Sequence, residues 1–258
     1  MEDVKKWIKS KPFLVSFIRL LKSLLKIKLD ILNFVKFLKE YNIYKNKLLK
    51  SKNYNQILSI KYLYPLLLDK TAQIKLDPVY FYQDAWCAKK IFENKPSHHY
   101  DIASSIKLVS IISQFCPVTF VDIRDIDLKL ENLNVVIADA MNLPFQENSI
   151  DSLSSICVLE HIGLGRYGDK IDPYGTEKAV TEIKRVLKPG GNLFISIPVD
   201  KENIVYFNAH RAFTIDYILS LFKELKLMEE KYIYGKQIYD SYDPENGFGT
   251  GLFYFKKL

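Results

Sequence analysis

Apolar residues recur at helical spacing over the first forty positions of the chain. In FLVSFIRLLKSLLKIKLDILNFVKFLKEY, Phe17, Leu24, Ile31 and Leu38 fall seven apart, as do Leu14 and Leu21, with Val35 two heptads further on and lysines between. That spacing predicts an amphipathic helix. Residues 42–75 are rich in lysine and tyrosine but weakly periodic, and read as a linker with short helical pieces. A second helix is predicted from Pro78, with Asp77 as N-cap and Pro96 as its stop. Strand patterns then take over. HYDIA, VTFVDI, LNVVIAD, IDSLSSICVL and GNLFISIPV are five β-rich runs with helical stretches between, notably GTEKAVTEIKRVLKPGG with its Pro-Gly-Gly stop. After Pro198, a helix from about Thr214 to Leu225 precedes two late strands, EEKYIYGK and GLFYFKK, expected to extend the sheet as an antiparallel hairpin. Alternating strands and helices imply a mostly parallel sheet covered by helices on both faces. The chain is thus read as a helical extension and linker over residues 1–75 and an α/β domain over residues 76–258.

Charge sharpens that division. Through Lys52 there are 14 Lys/Arg against 4 Asp/Glu, a surplus of +10; the remainder has 23 against 26, or −3. The basic character belongs to the extension, so the α/β domain offers no basic face for neutralising phosphates, and nucleic acid is not expected as a partner. The basic helix admits two readings: packing against its own domain or a partner helix, or lying on an anionic membrane surface with its lysines snorkelling to the headgroups. The second would give peripheral contact through residues 5–39 at the inner face of the plasma membrane. No signal peptide or transmembrane span is expected, because lysines interrupt every apolar run. Three dispersed cysteines, Cys87, Cys116 and Cys157, argue against a disulfide framework or zinc site and for a reducing cytoplasm. No metal is expected.

In an open parallel sheet, ligands bind beyond the carboxyl ends of the strands where strand order reverses. The residues expected there are acidic at three successive strands: Asp101 with Ile102-Ala103-Ser104-Ser105, Asp122, and Asp139 with Ala140. Any one acid at such a place can simply cap the next helix. Three together suit a ligand with several hydroxyl or amino donors. The fourth strand runs out into Glu160-His161 and the loop GLGRYGD.

The run ADAMNLPFQENSIDSLSSICVLEHI, followed by EIKRVLKPGGNLFISIP, resembles the class I S-adenosylmethionine-dependent methyltransferases. YFYQDAWCAKKIF, HIGLGRYGDKIDPYGTEKA and FNAHRAF resemble, more closely, the DUF268 family of unknown function within that superfamily, whose members look like bacterial proteins encoded among surface-polysaccharide genes. The resemblance covers roughly Tyr80 to the C-terminus and omits the first helix. It implies a Rossmann-like fold with a mostly parallel seven-stranded sheet and an antiparallel last strand. It also implies S-adenosylmethionine as cofactor, with Asp122 on its ribose, Asp139 and the backbone of Ala140 on its adenine, and residues 101–105 along its methionine part. A sugar or glycan precursor in polysaccharide assembly would be the methyl acceptor.

One departure from the family pattern stands out. Where methyltransferases place glycines at alternating positions after the first acid, this chain has Ala103, Ser105 and Lys107. An alanine costs little at negative φ but about 1 kcal/mol or more at positive φ. The glycine-free loop leaves open a second reading, a non-catalytic methyltransferase-like scaffold that has lost its cofactor. For chemistry, His161 is the candidate base, with Glu160 beside it to orient the ring. Arg166 and Tyr167 in the glycine-spaced loop, and Asn208, His210 and Arg211 after the fifth strand, are candidates for holding an acidic or sugar acceptor. His98 and His99 read as surface or packing residues. Walker loops, nucleophile elbows, paired-carboxylate spacings and metal-ligand clusters are absent from the sequence, which removes hydrolase and kinase readings.

Overall fold

A computed structural model of the protein describes residues 12–51 and 57–258, with side chains from Ile27 onward in the first helix. The chain divides into two compact units between Lys75 and Leu76. In the first, helix α1 (Pro12–Lys50) runs 39 residues without a break. It outlasts the predicted segment by nine residues because nothing from Asn42 to Lys50 is Gly or Pro, and weak periodicity does not by itself end a helix. Residues 57–75 are irregular apart from a short 3₁₀ turn, Ile60–Tyr62. Ile27, Ile31, Phe34 and Leu38 are exposed on α1. The stretch of the 5–39 segment before Pro12, and the heptad side chains from Leu14 to Leu24, lie outside the described residues. Among the described residues no helix is long and apolar enough to cross a membrane.

The second unit begins with α2 (Pro78–Asn94), started as the sequence predicts: the Asp77 carboxylate accepts from the Val79 amide at 2.9 Å. The chain then runs β1 (His99–Ile102), α3 (Ile106–Ile112), β2 (Val118–Asp122), β3 (Leu133–Ile137), β4 (Ile150–Ile156), α4 (Gly175–Val186) and β5 (Leu187–Val199). A small hairpin of β6 (Ile204–Tyr206) and β7 (His210–Ala212) follows, then α5 (Ile215–Leu221), β8 (Leu225–Tyr234), β9 (Gln237–Tyr239) and β10 (Gly249–Lys257). The main sheet has eight strands in the order β3-β2-β1-β4-β5-β10-β8-β9, one more than expected because β9 adds a short edge. Strands β1 to β5, in the spatial order β3-β2-β1-β4-β5, pair in parallel. The late strands extend the sheet as the expected antiparallel hairpin, with β10 on the inside between β5 and β8, opposing Phe253 to Ile195 on one side and Glu230 on the other.

Alternation along each buried strand sends side chains to two cores. Leu193, Ile195 and Ile197 of β5 pack with Val180 and Ile183 of α4 and Phe222 beyond α5, whereas Phe194 packs on the opposite face with Trp86 and Ile91 of α2 and Val109 of α3. The result is a three-layer α/β/α sandwich whose strand order reverses between β1 and β4. His99 is fully buried, its ring nitrogens 2.8 Å from the hydroxyls of Ser152 and Ser154. It is an interior packing residue.

Candidate functional site

At the carboxyl ends of β1 to β4, on either side of the reversal, lies a cleft of about 650 Å³. Its walls include Ala103, Ser104 and Ser105 after β1, Asp122 ending β2, Asp139 and Ala140 after β3, and Cys157, His161, Tyr167 and Asp169 after β4. Open α/β sheets bind ligands at this position because neighbouring loops diverge there. Asp122, Asp139 and the 103–105 loop therefore share one cavity.

Asp101 does not line it. This residue is fully buried, its carboxylate accepting from the Ser104 amide at 3.0 Å and from the Ser154 hydroxyl. Burial pushes its pKa up to about 6 against the pull of those donors. Asp101 thus braces the loop from behind instead of facing a ligand. Ser104 also turns inward, its hydroxyl accepting from the Ile156 amide at 2.9 Å and tying β1 to β4 without filling the cleft. Ala103 adopts φ +53°, the left-handed conformation that favours glycine. The main chain therefore takes the turn a glycine would take, and the alanine methyl bears the strain. We expect Ala103→Gly to stabilise the domain by roughly 1 kcal/mol in equilibrium urea unfolding; a loss of stability would show the alanine to be relaxed.

Asp122 is 6% exposed and already engaged. Its Oδ1 accepts from both the amide and Nε of Arg124 at 2.9 Å, and its Oδ2 from Nη2 at 2.8 Å. The Arg124 guanidinium also lies 4.6 Å from the centre of the Tyr167 ring. Asp139 keeps more capacity, with Oδ1 accepting from the Met141 amide at 2.8 Å. Each carboxylate oxygen carries two lone pairs, so Oδ2 of both acids can still accept from a ligand. The donor and acceptor set fits an adenosyl group: acids at the ends of β2 and β3, a backbone loop between them, and apolar walls from Ile126, Ala138 and Val158.

His161 also lines the cleft, and the β6–β7 hairpin orients it. Its Nδ1 is 2.7 Å from the Ala209 carbonyl, which requires the proton on Nδ1 and leaves Nε2 as the acceptor. Burial lowers its pKa to about 4. Glu160 is not the orienting group expected from its position. It is 2% exposed, its Oε1 lies 3.5 Å from His161 Nε2, and its Oε2 has no hydrogen-bond partner. Burial raises its pKa to about 8, so at neutral pH it keeps its proton.

The glycine-spaced loop is folded around Asp169. That carboxylate accepts from the amides of Gly163 at 2.7 Å, Gly165 at 3.1 Å and Tyr167 at 3.2 Å. Burial works to raise the Asp169 pKa, but these amides outweigh it and hold it below the usual range. Gly163 is obligatory: at φ +85° a Cβ would sit 2.1 Å from the Asp172 carbonyl oxygen. Arg166 and His210 adjoin His161, and Tyr167 lines the cleft. Asn208, at φ +63°, forms the hairpin turn. Arg211 faces the interior, with Nη1 donating to Ile162 O and Thr176 Oγ1, so it clamps the fold and is not available to an acceptor. Sequence reasoning missed Tyr80, Arg124, Cys157 and Asp169 as site residues. Asp169 had a signal, being the acid that closes a glycine-spaced loop; Tyr80 had none, because it reaches the cleft from α2.

Residues 124–229, less than half of the chain, match the family model described as Caenorhabditis protein of unknown function, DUF268. That description lends no support to a bacterial polysaccharide setting. The tRNA (carboxymethyluridine(34)-5-O)-methyltransferase of Arabidopsis thaliana is 38% identical over 63 residues, covering 24% of this chain and 14% of that protein. The chain spans between 14% and 40% of the length of the curated relatives it matches. Among solved structures, the 1,6-didemethyltoxoflavin-N1-methyltransferase of Burkholderia thailandensis, with bound 1,6-didemethyltoxoflavin and S-adenosylhomocysteine, superposes with a TM-score of 0.52 at 14% identity, covering 69% of this chain and 80% of that one. The cyclase SpnF superposes with a TM-score of 0.52 at 12% identity, covering 67% and 80%. The chain has the class I S-adenosylmethionine-dependent methyltransferase fold and resembles the DUF268 family over residues 124–229.

Proposed function

We propose that residues 76–258 form an S-adenosylmethionine-dependent methyltransferase acting on a small-molecule acceptor. The observation that carries this reading is that Asp122 and Asp139 open onto one cleft at the strand-order reversal. When bound, the cofactor supplies an electrophilic methyl group on sulfur. Asp122 would accept from the ribose hydroxyls through the lone pairs Arg124 leaves free. Asp139 and the Ala140 amide would hold the adenine, and the 103–105 backbone would flank the methionine part. His161 takes the acceptor proton at Nε2, since the Ala209 carbonyl fixes the other nitrogen as donor. Glu160, protonated beside it, cannot supply a carboxylate to the imidazole and instead keeps the pair uncharged.

S-adenosylhomocysteine tests this directly. At 100-fold over its dissociation constant it should stabilise the protein by about 2.7 kcal/mol, read as a rise in melting temperature. Asp122→Ala should abolish the rise. No response at millimolar ligand would defeat the reading.

Two observations favour a second reading, a non-catalytic module on the same fold. Ala103 stands at a strained position where a glycine would be free, and Arg124 already occupies much of Asp122. A fold neighbour that is a cyclase shows that the architecture hosts other chemistry.

In the finer part of the proposal, the sugar or glycan acceptor rests on the family resemblance alone, and only the membrane face draws on a feature of the structure. Helix α1 exposes Ile27, Ile31, Phe34 and Leu38 and carries lysines along its length. Basic amphipathic helices with exposed apolar stripes bind anionic bilayers. Binding to phosphatidylserine vesicles should therefore weaken with salt and vanish on deleting residues 1–40. Persistence after the deletion would exclude α1 as the anchor.

A further inference from the structure

Arg166 carries a charge that no carboxylate matches. Its Nη1 donates to the Ala209 carbonyl at 2.9 Å and lies 3.5 Å from His161 Nδ1, which binds the same carbonyl. One oxygen thus fixes both the guanidinium and the imidazole. Among the described residues Arg166 has no ion-pair partner, whereas Arg124 holds Asp122 and Arg185 holds Glu182. The acids nearby are committed elsewhere. Asp169 is taken by three loop amides, and Glu160 keeps its proton because it is buried.

The surroundings of Arg166 are aromatic. Its guanidinium lies 5.1 Å from the centre of the Tyr167 ring. The His161 ring is 5.7 Å from Tyr167 and 6.5 Å from His210, and His210 is backed by Tyr206 at 4.9 Å and Phe248 at 5.6 Å. Arg166 is itself exposed, so the Tyr167 ring covers one side of a guanidinium that otherwise meets solvent and stays open to an anion. Both histidines are lowered first by burial and further by the Arg166 charge; for His161 the bond to the Ala209 carbonyl and the Asp169 charge pull the other way, and His210 adds to the lowering. The cluster is thus a positive site beside the cleft, bordered by two imidazoles that a bound anion would help to protonate.

We propose that Arg166, with His161, His210 and Tyr167, forms a subsite for an anionic oxygen group of the acceptor, a carboxylate or a phosphate. Tyr167 and His161 also line the cleft that holds Asp122 and Asp139, while Arg166 and His210 stand just outside that lining, so an acceptor anchored on Arg166 would reach into the cleft past these two shared residues. The link to methyl transfer rests on the function proposed above; the anion subsite does not. An uncharged sugar would gain nothing from the Arg166 charge, whereas an anionic oxygen group would add a charge-assisted hydrogen bond.

The test is an imidazole NMR titration of the full chain with inorganic phosphate, and separately with acetate, at constant ionic strength set by chloride. Saturable shifts of His161 and His210, with a rise in their pKa values, are the expected result. Arg166→Gln should weaken the response at least tenfold and Arg166→Lys should retain part of it, which separates lost charge from lost folding. A response to phosphate but not acetate assigns a phosphorylated acceptor, and the reverse a carboxylic acid. Three outcomes overturn the proposal: no saturable response to either anion, a response undiminished in Arg166→Gln, or displacement of the anion by S-adenosylhomocysteine, whose own carboxylate would then be the natural occupant. An Arg166-dependent anion response without any S-adenosylhomocysteine binding would sink the methyltransferase reading and leave this subsite standing. Cofactor binding with no anion response would do the opposite.

Discussion

Arg211→Ala should lower the unfolding free energy of the α/β domain by about 3 kcal/mol or more, one of the larger effects available from a single side chain outside the apolar core. Arg211 is 6% exposed and spends its guanidinium entirely on neutral acceptors: Nη1 on Ile162 O at 2.6 Å and Thr176 Oγ1 at 2.9 Å, Nη2 on Asp172 O at 3.2 Å and Pro173 O at 3.4 Å. Those acceptors belong to the two ends of the glycine-spaced loop and to the first turn of α4. Truncation would strand several buried carbonyls at once, each costing about 1–3 kcal/mol when left unmatched. Arg211→Lys should fall between, because one ammonium cannot span a fork of four acceptors. Equilibrium urea unfolding reads the change as a drop in midpoint at constant slope. A drop of less than about 1 kcal/mol would mean that water replaces the guanidinium, and the clamp would be unimportant.

How far this site could be read from the amino-acid sequence depends on the range of each interaction. The Asp77 cap, the five parallel strands and the acids at their ends were legible because each is a local pattern: a cap two residues from its amide, an apolar run of strand length, a carboxylate at the end of that run. The antiparallel sense of β10 was expected too, but its order was not legible, since no local feature says that Phe253 will face Ile195 instead of leaving β8 beside β5. Arg211 was misjudged for the same reason. Its side-chain partners are 35 to 49 residues away, and an Arg between His210 and Ala212 has the same sequence context whether it faces solvent or the interior. The first loop shows an intermediate case. The missing glycine at 103 was plain in the sequence, but whether it mattered turned on a single dihedral angle, and +53° places the alanine in the conformation that costs. Arg124 lies two residues from Asp122, close enough for local reasoning, yet the same spacing also permits an arginine turned away.

The same long-range dependence governs Glu160, whose acidity is set by burial beneath the β6–β7 hairpin. Its backbone carbonyl accepts from the Arg211 amide at 3.0 Å, and its side chain is sealed with one oxygen unpartnered. In the unfolded chain Glu160 titrates near its ordinary value of 4.5; in the folded protein burial moves it to about 8. Between those values the native state holds a proton that the unfolded state has released. Stability conferred by that proton is complete below pH 4.5 and is lost as pH rises through 8, at roughly 1.4 kcal/mol per pH unit at most. His161 works in the opposite sense. Its pKa falls from 6.5 to about 4 on folding, so its contribution is complete above pH 6.5 and lost as pH falls through 4. From pH 4.5 to 6.5 the two slopes largely offset; from 6.5 to 8 the Glu160 slope stands without that opposition. Glu160→Gln removes the ionisation while keeping the shape and a donor toward His161 Nε2. The variant should therefore gain stability over the native chain as pH is raised from 6.5 to 8, and the gap should close by pH 5. Urea midpoints measured across that range decide it. A gap that stays constant with pH would mean Glu160 is ionised in the folded state at neutrality, which would return it to the role of a carboxylate partner for His161.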